Sequence, residues 1–153
     1  MKKKAVPAAD IVTPNHFELN YLAGCESRTL AGALGAVKAV HALGPRAVLV
    51  TSLHTADTPQ DSVDLLASDE TGRFRLRTPK LPLVVNGAGD AIAALFLAHY
   101  LRNGKIDEAL SRAGSAIFGV LAKTAEAGAG EIQIVTAQQE IVEPSKVFEA
   151  EQL

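Results

Sequence analysis

Hydrophobic and polar positions alternate between two periods along this chain. Asp10-Ile11-Val12-Thr13 reads as a short buried strand, and Pro14 and Asn15 then open a helix to about Ala23, stopped by Gly24. Residues Thr29 to Leu43 place Leu30, Leu34, Val37 and Val40 at helical spacing, and Gly44-Pro45 ends that run. Ala47 to Ser52 is an apolar strand without alternation, the pattern of a strand covered on both faces. The opening is therefore strand, helices, strand, which predicts a parallel sheet with helices packed on it.

After the polar stretch His54 to Asp61, Ser62–Ser68 and Arg73–Thr78 read as two strands around a turn at Asp69-Glu70-Thr71-Gly72, an antiparallel hairpin at the sheet edge. Arg73, Arg75 and Arg77 alternate with Phe74 and Leu76, so the arginines are expected on a solvated face. Two helices follow, from about Asp90 to Arg102 and from Asp107 to about Ala127. Glu131 to Val135 is expected as a last strand and Ala137 to Val142 as a last short helix.

Composition leaves this picture intact. The 153 residues suffice for one domain, and 48% apolar with 21% charged residues is ordinary for a globular protein. A net charge of -2 offers no electrostatic reason to expect nucleic acid. The basic start Lys2-Lys3-Lys4 is not followed by the apolar run of a signal peptide, and Ala91 to Ala98 is too short to cross a bilayer. The single cysteine, Cys25, excludes an internal disulfide and leads us to expect a reducing, cytoplasmic location. His16, His41, His54 and His99 lack metal-ligand spacing.

The candidate chemistry sits at element ends. Asn86-Gly87-Ala88-Gly89-Asp90 runs into an Ala- and Leu-rich helix. Small residues let backbone N–H groups approach an anion, and the helix N-terminus adds positive partial charge, with the Asp90 carboxylate alongside. The same residues also make an ordinary helix start. Thr13-Pro14-Asn15-His16-Phe17-Glu18 follows the first strand, where ligands of open α/β sheets bind. Asn15 and Glu18 have capping-box spacing, and they are equally placed to organise a hydrated Mg²⁺. Thr51-Ser52 ends the second strand and offers hydroxyls either to a phosphate or to the turn itself.

Taken together, a strand ending T-P-N-x-x-E, a strand ending V-T-S and G-A-G-D opening a helix resemble the ribokinase-type superfamily of small-molecule kinases. Within it the chain most resembles the bacterial pyridoxal kinases, through Ala9–Gly24, Val48–Leu53, Arg77–Leu101 and Glu140–Leu153. The resemblance implies a ribokinase-like, Rossmann-like layered α/β fold. It implies that residues 1–153 are the C-terminal, nucleotide-binding half of such a domain, since full-length members are nearly twice as long. It further implies ATP and Mg²⁺ as cofactors, phosphorylation of the 5'-hydroxyl of pyridoxal, and a homodimer in the full-length family. Asp90 would be the catalytic base, and Gly87, Ala88 and Gly89 the anion hole for the transferred phosphate. Thr13 and Glu18 match the ATP–Mg²⁺ site, with Asn15 beside them and Glu18 as the metal residue. Thr51, with Ser52, matches a nucleotide-contacting position that is Lys in some relatives. Thr78, Pro79, Lys80 and Leu81 would border the nucleotide. Hydroxymethylpyrimidine kinases are the neighbouring alternative, although they usually carry Cys where this chain has Asp90. A non-catalytic remnant that binds nucleotide or a partner chain is the alternative of another class.

Overall fold

The structure is a computed structural model that describes residues 5–153. The basic start Lys2-Lys3-Lys4 lies outside the described residues. The elements are α1 (Ala5–Ala8), β1 (Ile11–Val12), α2 (His16–Ala23), α3 (Leu30–His41), β2 (Ala47–Leu53), β3 (Ser62–Asp69), β4 (Gly72–Pro79), α4 (Ala88–Asn103), α5 (Ile106–Glu126), α6 (Gln138–Val142) and β5 (Glu151–Gln152).

The uninterrupted apolar run of β2 is explained by the pleat. Ala47 and Leu49 point to one face and pack with Leu65, Ala67 and Leu76 under Phe96 of α4 and Leu110, Ala113 and Ile117 of α5. Val48, Val50 and Leu53 point to the other face and meet Leu19 and Leu22 of α2 and Ala33, Val37 and Val40 of α3. The result is one sheet with helices on both sides, the layered α/β fold expected. Thr29 accepts a hydrogen bond from the Gly32 amide and caps α3, and the Asp57 carboxylate accepts another from the Leu30 amide at 2.7 Å.

The sheet is mixed: β1 and β2 are parallel and β3–β4 form the antiparallel hairpin, both as expected, and the parallel part is limited to that one pair. Its order is β1-β2-β3-β4-β5, and only β1 and β2 run parallel. A parallel connection needs a crossover of a dozen or more residues, usually helical. The segment from β1 to β2 carries α2 and α3, but residues 54–61 and Glu70-Thr71 are too short for that, so β3 and β4 return antiparallel. The hairpin does not form the edge. Glu151–Gln152 pair with Phe74 and Arg75 outside β4, and Leu153 N donates to Arg73 O at 2.9 Å. β1 is half-buried rather than buried, at the opposite edge.

Two further expectations change. Glu131–Val135 is not a strand: Glu131 makes an isolated bridge with Asn86, and turns follow. The position beside β4 is taken by β5, and this segment lies against the loop before α4. The arginine stripe is not simply solvated, because its strand faces acids. Arg75 pairs with Glu151 across the β4–β5 ladder. Arg77 stands opposite Asp64 in register, and its Nε and a terminal nitrogen donate to the two carboxylate oxygens at 2.7 and 2.8 Å.

Two expected outcomes follow from this packing. A Cβ added at Gly114 would overlap the side chain of Leu76, which is buried, and press on Leu65. Gly114→Ala is expected to destabilise the fold by about 1–3 kcal/mol in denaturant titrations, the usual range for overpacking. Asp64 is buried; burial favours its neutral form, but the hydrogen bonds from Arg77 and Thr58 and the charges of Arg77 and Arg75 outweigh this and hold its pKa below the usual carboxylate value. The stability so gained is complete above the unfolded-state pKa of about 4 and is lost as pH falls through the lower folded value. Arg77→Ala, which leaves that buried carboxylate without its ion-pair partner and with only the Thr58 hydroxyl bonded to it, is expected to cost about 3 kcal/mol at pH 7. Asp64→Asn is expected to show a shallower loss of stability below about pH 4 than the unmodified chain.

Candidate functional site

The glycine loop and α4 are continuous. The helix begins at Ala88, two residues before the expected start, so Ala88, Gly89 and Asp90 form its first turn. Gly87 is the N-cap with φ 89° and ψ -9°, a left-handed conformation that a side chain would strain. No side chain caps this end. The first intrahelical donor is the Ala91 amide, bonded to Gly87 O at 2.9 Å, so the N–H groups of Ala88, Gly89 and Asp90 before it have no intrahelical acceptor and can meet an anion. Asp90 is exposed at this positive end. The Asn86–Glu131 bridge and Ile132 beside Gly87 brace the loop from behind.

The ends of β1 and β2 are stitched together. Thr51 N donates to Pro14 O at 2.9 Å, and Asn15 and Thr51 form a parallel bridge. Asn15 Oδ1 accepts from the Glu18 amide and Glu18 Oε2 accepts from the Asn15 amide, each at 2.9 Å, a complete capping box at the start of α2. Thr13 is half-buried in the link from β1. Ser52, with φ 52°, is the one non-glycine residue at positive φ among the described residues. It sits where the β2–β3 register shifts between Val50 and Leu53. Such a bulge stores strain and turns side chains out of the ladder.

Between these ends lies a cavity of about 330 Å³. Thr51, Ser52, Thr78, Pro79, Lys80, Leu81, Ala88 and Gly89 all line it. Thr13, Asn15, Glu18, Gly87 and Asp90 do not; Asn15 adjoins it through the bridge to Thr51, and Gly87 and Asp90 flank Ala88 and Gly89 in the chain. The remaining walls are apolar residues that the sequence reading did not single out: Val63, Leu65, Leu83, Val84, Val85, Ile92, and the α5 stripe Gly114, Ile117, Phe118 and Leu121. The stripe's i, i+3, i+4, i+7 spacing was the available signal, but core packing gives the same spacing.

Among the described residues, Lys80 is the cation in the cavity lining. Burial lowers the His54 pKa, and the charges of Lys80 and His16 lower it further against an opposing effect of Asp64, so His54 is neutral near pH 7. The His54 amide lies 3.4 Å from His16 Nδ1, and His16 Nε2 lies 2.8 Å from Ser27 O, so the two histidines are held side by side. Lys80 is fixed through its backbone, its N–H donating to Asp61 O at 2.7 Å.

The donor set fits a hydrated Mg²⁺ held jointly with phosphates and does not fit a closed protein cage. Among the described residues no group of three His, Cys, Asp or Glu side chains could hold a metal. Glu18 is exposed, and its capping box uses only Oε2. Magnesium keeps several waters and takes as few as one carboxylate beside substrate phosphates, a donor number that the second Glu18 oxygen matches.

Comparison with known proteins agrees with this geometry. The chain is 53% identical over 149 residues to the pyridoxal kinase PdxY of Rubrobacter xylanophilus, covering 97% of this chain and 51% of that protein. It is 53% identical over 155 residues to the corresponding protein of Granulibacter bethesdensis, covering 98% of this chain and 54% of that one. Among solved structures, the pyridoxal kinase of Leishmania donovani in complex with ADP and ginkgotoxin superposes with a TM-score of 0.88 at 27% identity, over 99% of this chain and 53% of that one. The chain thus spans about half the length of the relatives it matches. The family model described as phosphomethylpyrimidine kinase matches residues 1–135, and the chain belongs to that family.

Proposed function

We propose that residues 1–153 are the nucleotide-binding half of an ATP-dependent pyridoxal kinase, which transfers the γ-phosphate of ATP to the 5'-hydroxyl of pyridoxal. The observation that carries this reading is the meeting of an uncapped helix N-terminus, the Thr51-Ser52 bulge and Lys80 around one apolar-walled cavity. The apolar walls suit a nucleobase. The hydroxyls and Lys80 suit a phosphate chain, and the amides of the Gly87–Gly89 turn suit its terminal group. The kinase names of the relatives supply the reaction class.

Phosphoryl transfer depends on in-line positioning and charge stabilisation. In this reading the amides of Ala88 and Gly89 hold the terminal phosphate oxygens, and Thr51 and Ser52 orient the chain. Asp90, at the start of α4, accepts the proton of the attacking hydroxyl. Asn15, bridged to Thr51, holds Glu18 through the capping box, and the second Glu18 carboxylate oxygen would hold Mg²⁺, which would neutralise phosphate charge. The lysine that some relatives carry in place of Thr51 is met here by Lys80, which brings a cation to the same cavity. The same reading carries a cytoplasmic location and a homodimer for the full-length kinase. Among the described residues, no helix is long and apolar enough to cross a membrane.

The family description favours a second reading, a hydroxymethylpyrimidine-type kinase. Substrate-dependent ADP release from Mg²⁺-ATP separates the two, with pyridoxal and hydroxymethylpyrimidine as acceptors. Pyridoxal-dependent release is expected. Nucleotide binding without turnover on either acceptor would assign the chain to binding alone.

Asp90→Asn is expected to leave ATP affinity nearly unchanged and to lower turnover by at least about a hundredfold. Undiminished turnover removes Asp90 from the mechanism. Glu18→Gln keeps an acceptor for the Asn15 amide but loses the charge. It is expected to raise the Mg²⁺ concentration needed for half-maximal nucleotide binding by about tenfold, the low end of losses from an altered metal environment, with little change in melting temperature.

A further inference from the structure

Building on the nucleotide reading, we propose that the C-terminal segment 143–153 shapes the nucleobase end of the cavity, with Phe148 as the positioning residue for Phe118. Phe118 is half-buried on α5 and lines the cavity with Ile117 and Leu121. Its ring is met edge-on by Phe148, with centroids 4.9 Å apart and planes at 71°. The Lys146 ammonium lies 5.6 Å from the Phe118 centroid and 5.3 Å from that of Phe148, so one cation holds both rings.

The segment carrying Phe148 is itself tied down on both sides. Ser115, one turn before Phe118 on α5, accepts from the Phe148 amide at 2.9 Å and donates to the Phe148 carbonyl at 3.4 Å. Ser111, a further turn back, accepts from the Ala150 amide at 2.9 Å. Beyond it, Glu151 and Gln152 join the β4 ladder and Glu151 pairs with Arg75. Before it, the Ser145 amide donates to the buried Glu140 carboxylate at 2.8 Å, and Glu140 packs on Gly119 of α5. The strap is therefore registered to α5 by hydrogen bonds that surround Phe118 but do not involve its side chain.

A half-buried phenylalanine on a helix has more than one open rotamer. The edge-to-face contact with Phe148 selects one and fixes how far the ring stands into the cavity. This governs contact with a flat heteroaromatic base. The amides of Ala88 and Gly89, which the nucleotide reading assigns to the phosphates, belong to a different element, the start of α4. The strap thus separates base affinity from phosphate affinity.

The test is calorimetric titration of the full chain with ADP and, separately, with tripolyphosphate, both with Mg²⁺, for the unmodified protein, Phe148→Ala, Phe118→Ala and the double variant. Phe148→Ala is expected to weaken ADP binding by about three- to tenfold, the worth of one aromatic pair. Tripolyphosphate binding is expected to stay within about twofold. Phe118→Ala is expected to weaken ADP similarly, and adding Phe148→Ala to it is expected to bring no further loss. Unchanged ADP affinity in Phe148→Ala, equal weakening of both ligands, or additive losses in the double variant overturns the proposal while the nucleotide reading stands. Failure of the unmodified chain to bind either ligand overturns the nucleotide reading, and the proposal with it. Phe148→Leu, which keeps an apolar side chain against α5, serves where Phe148→Ala does not fold, and the same ADP-selective loss is expected of it.

Discussion

The close approach of α5 to the sheet is the contact on which the rest of the structure depends. Gly114 faces Leu65 and Leu76, and the small residues Ala109 and Ala113 lie along the same buried face. With no Cβ at Gly114, the helix settles onto β3 and β4 closely enough for Leu110 and Ile117 to share one core with Ala47 and Leu49. Because α5 sits this low, its next residues form the floor of the cavity, and its flank receives the C-terminal segment through Ser111 and Ser115. A larger residue at that crossing would disturb the core, the cavity floor and the tail together.

The polar half of the site depends on a different device, the joining of chain ends that are remote in sequence. The backbone of Pro14 and Asn15 is bonded to Thr51, and the bulge at Ser52 then turns the chain away from the ladder. The same bonds carry the α2 capping box to the rim of the cavity, so Glu18 is positioned by a cap that also stabilises its helix. The alternatives of structural cap and metal carboxylate are thus compatible, one oxygen for each. Below this rim the Asp64–Arg77 pair joins β3 to β4, and Asp57 in the preceding loop caps α3. The loop from β2 to β3 is thereby tied to α3 and, through Asp57 O accepting from Arg77, to β4.

Local pattern made much of this legible. Two helix starts could be read from Asn15 and Thr29, and the two-sided burial of β2 from an apolar run without alternation. The hairpin between β3 and β4 followed from the turn at Asp69 to Gly72. Eight of the thirteen site residues named from sequence line one cavity, Asn15, Gly87 and Asp90 adjoin or flank lining residues, and Thr13 and Glu18 lie outside the lining. The apolar walls were not legible, because Ile117 or Leu121 in a helix reads the same whether it faces a core or a pocket. The arginine stripe misled for a related reason. Alternation reports which face a side chain takes, but it does not report that Asp64 and Glu151 stand opposite on neighbouring strands.

What the sequence by itself determined is what neighbours along the chain decide: the caps at Asn15 and Thr29, the helical and strand periods, the glycine turn before α4, and the residue types able to handle a phosphate. What only the tertiary structure decided is what depends on partners far apart in the chain. Strand direction was set by connections too short to cross over, and the edge beside β4 was taken by Glu151–Gln152 rather than Glu131–Val135. The strained Ser52 and the ring contact between Phe118 and Phe148 belong to the same class. Hydrogen bonding and period are local quantities that a few residues carry. Register, closure of a cavity and the choice of one rotamer among several are set by whichever surface arrives opposite, and that surface is assembled only when the whole chain packs.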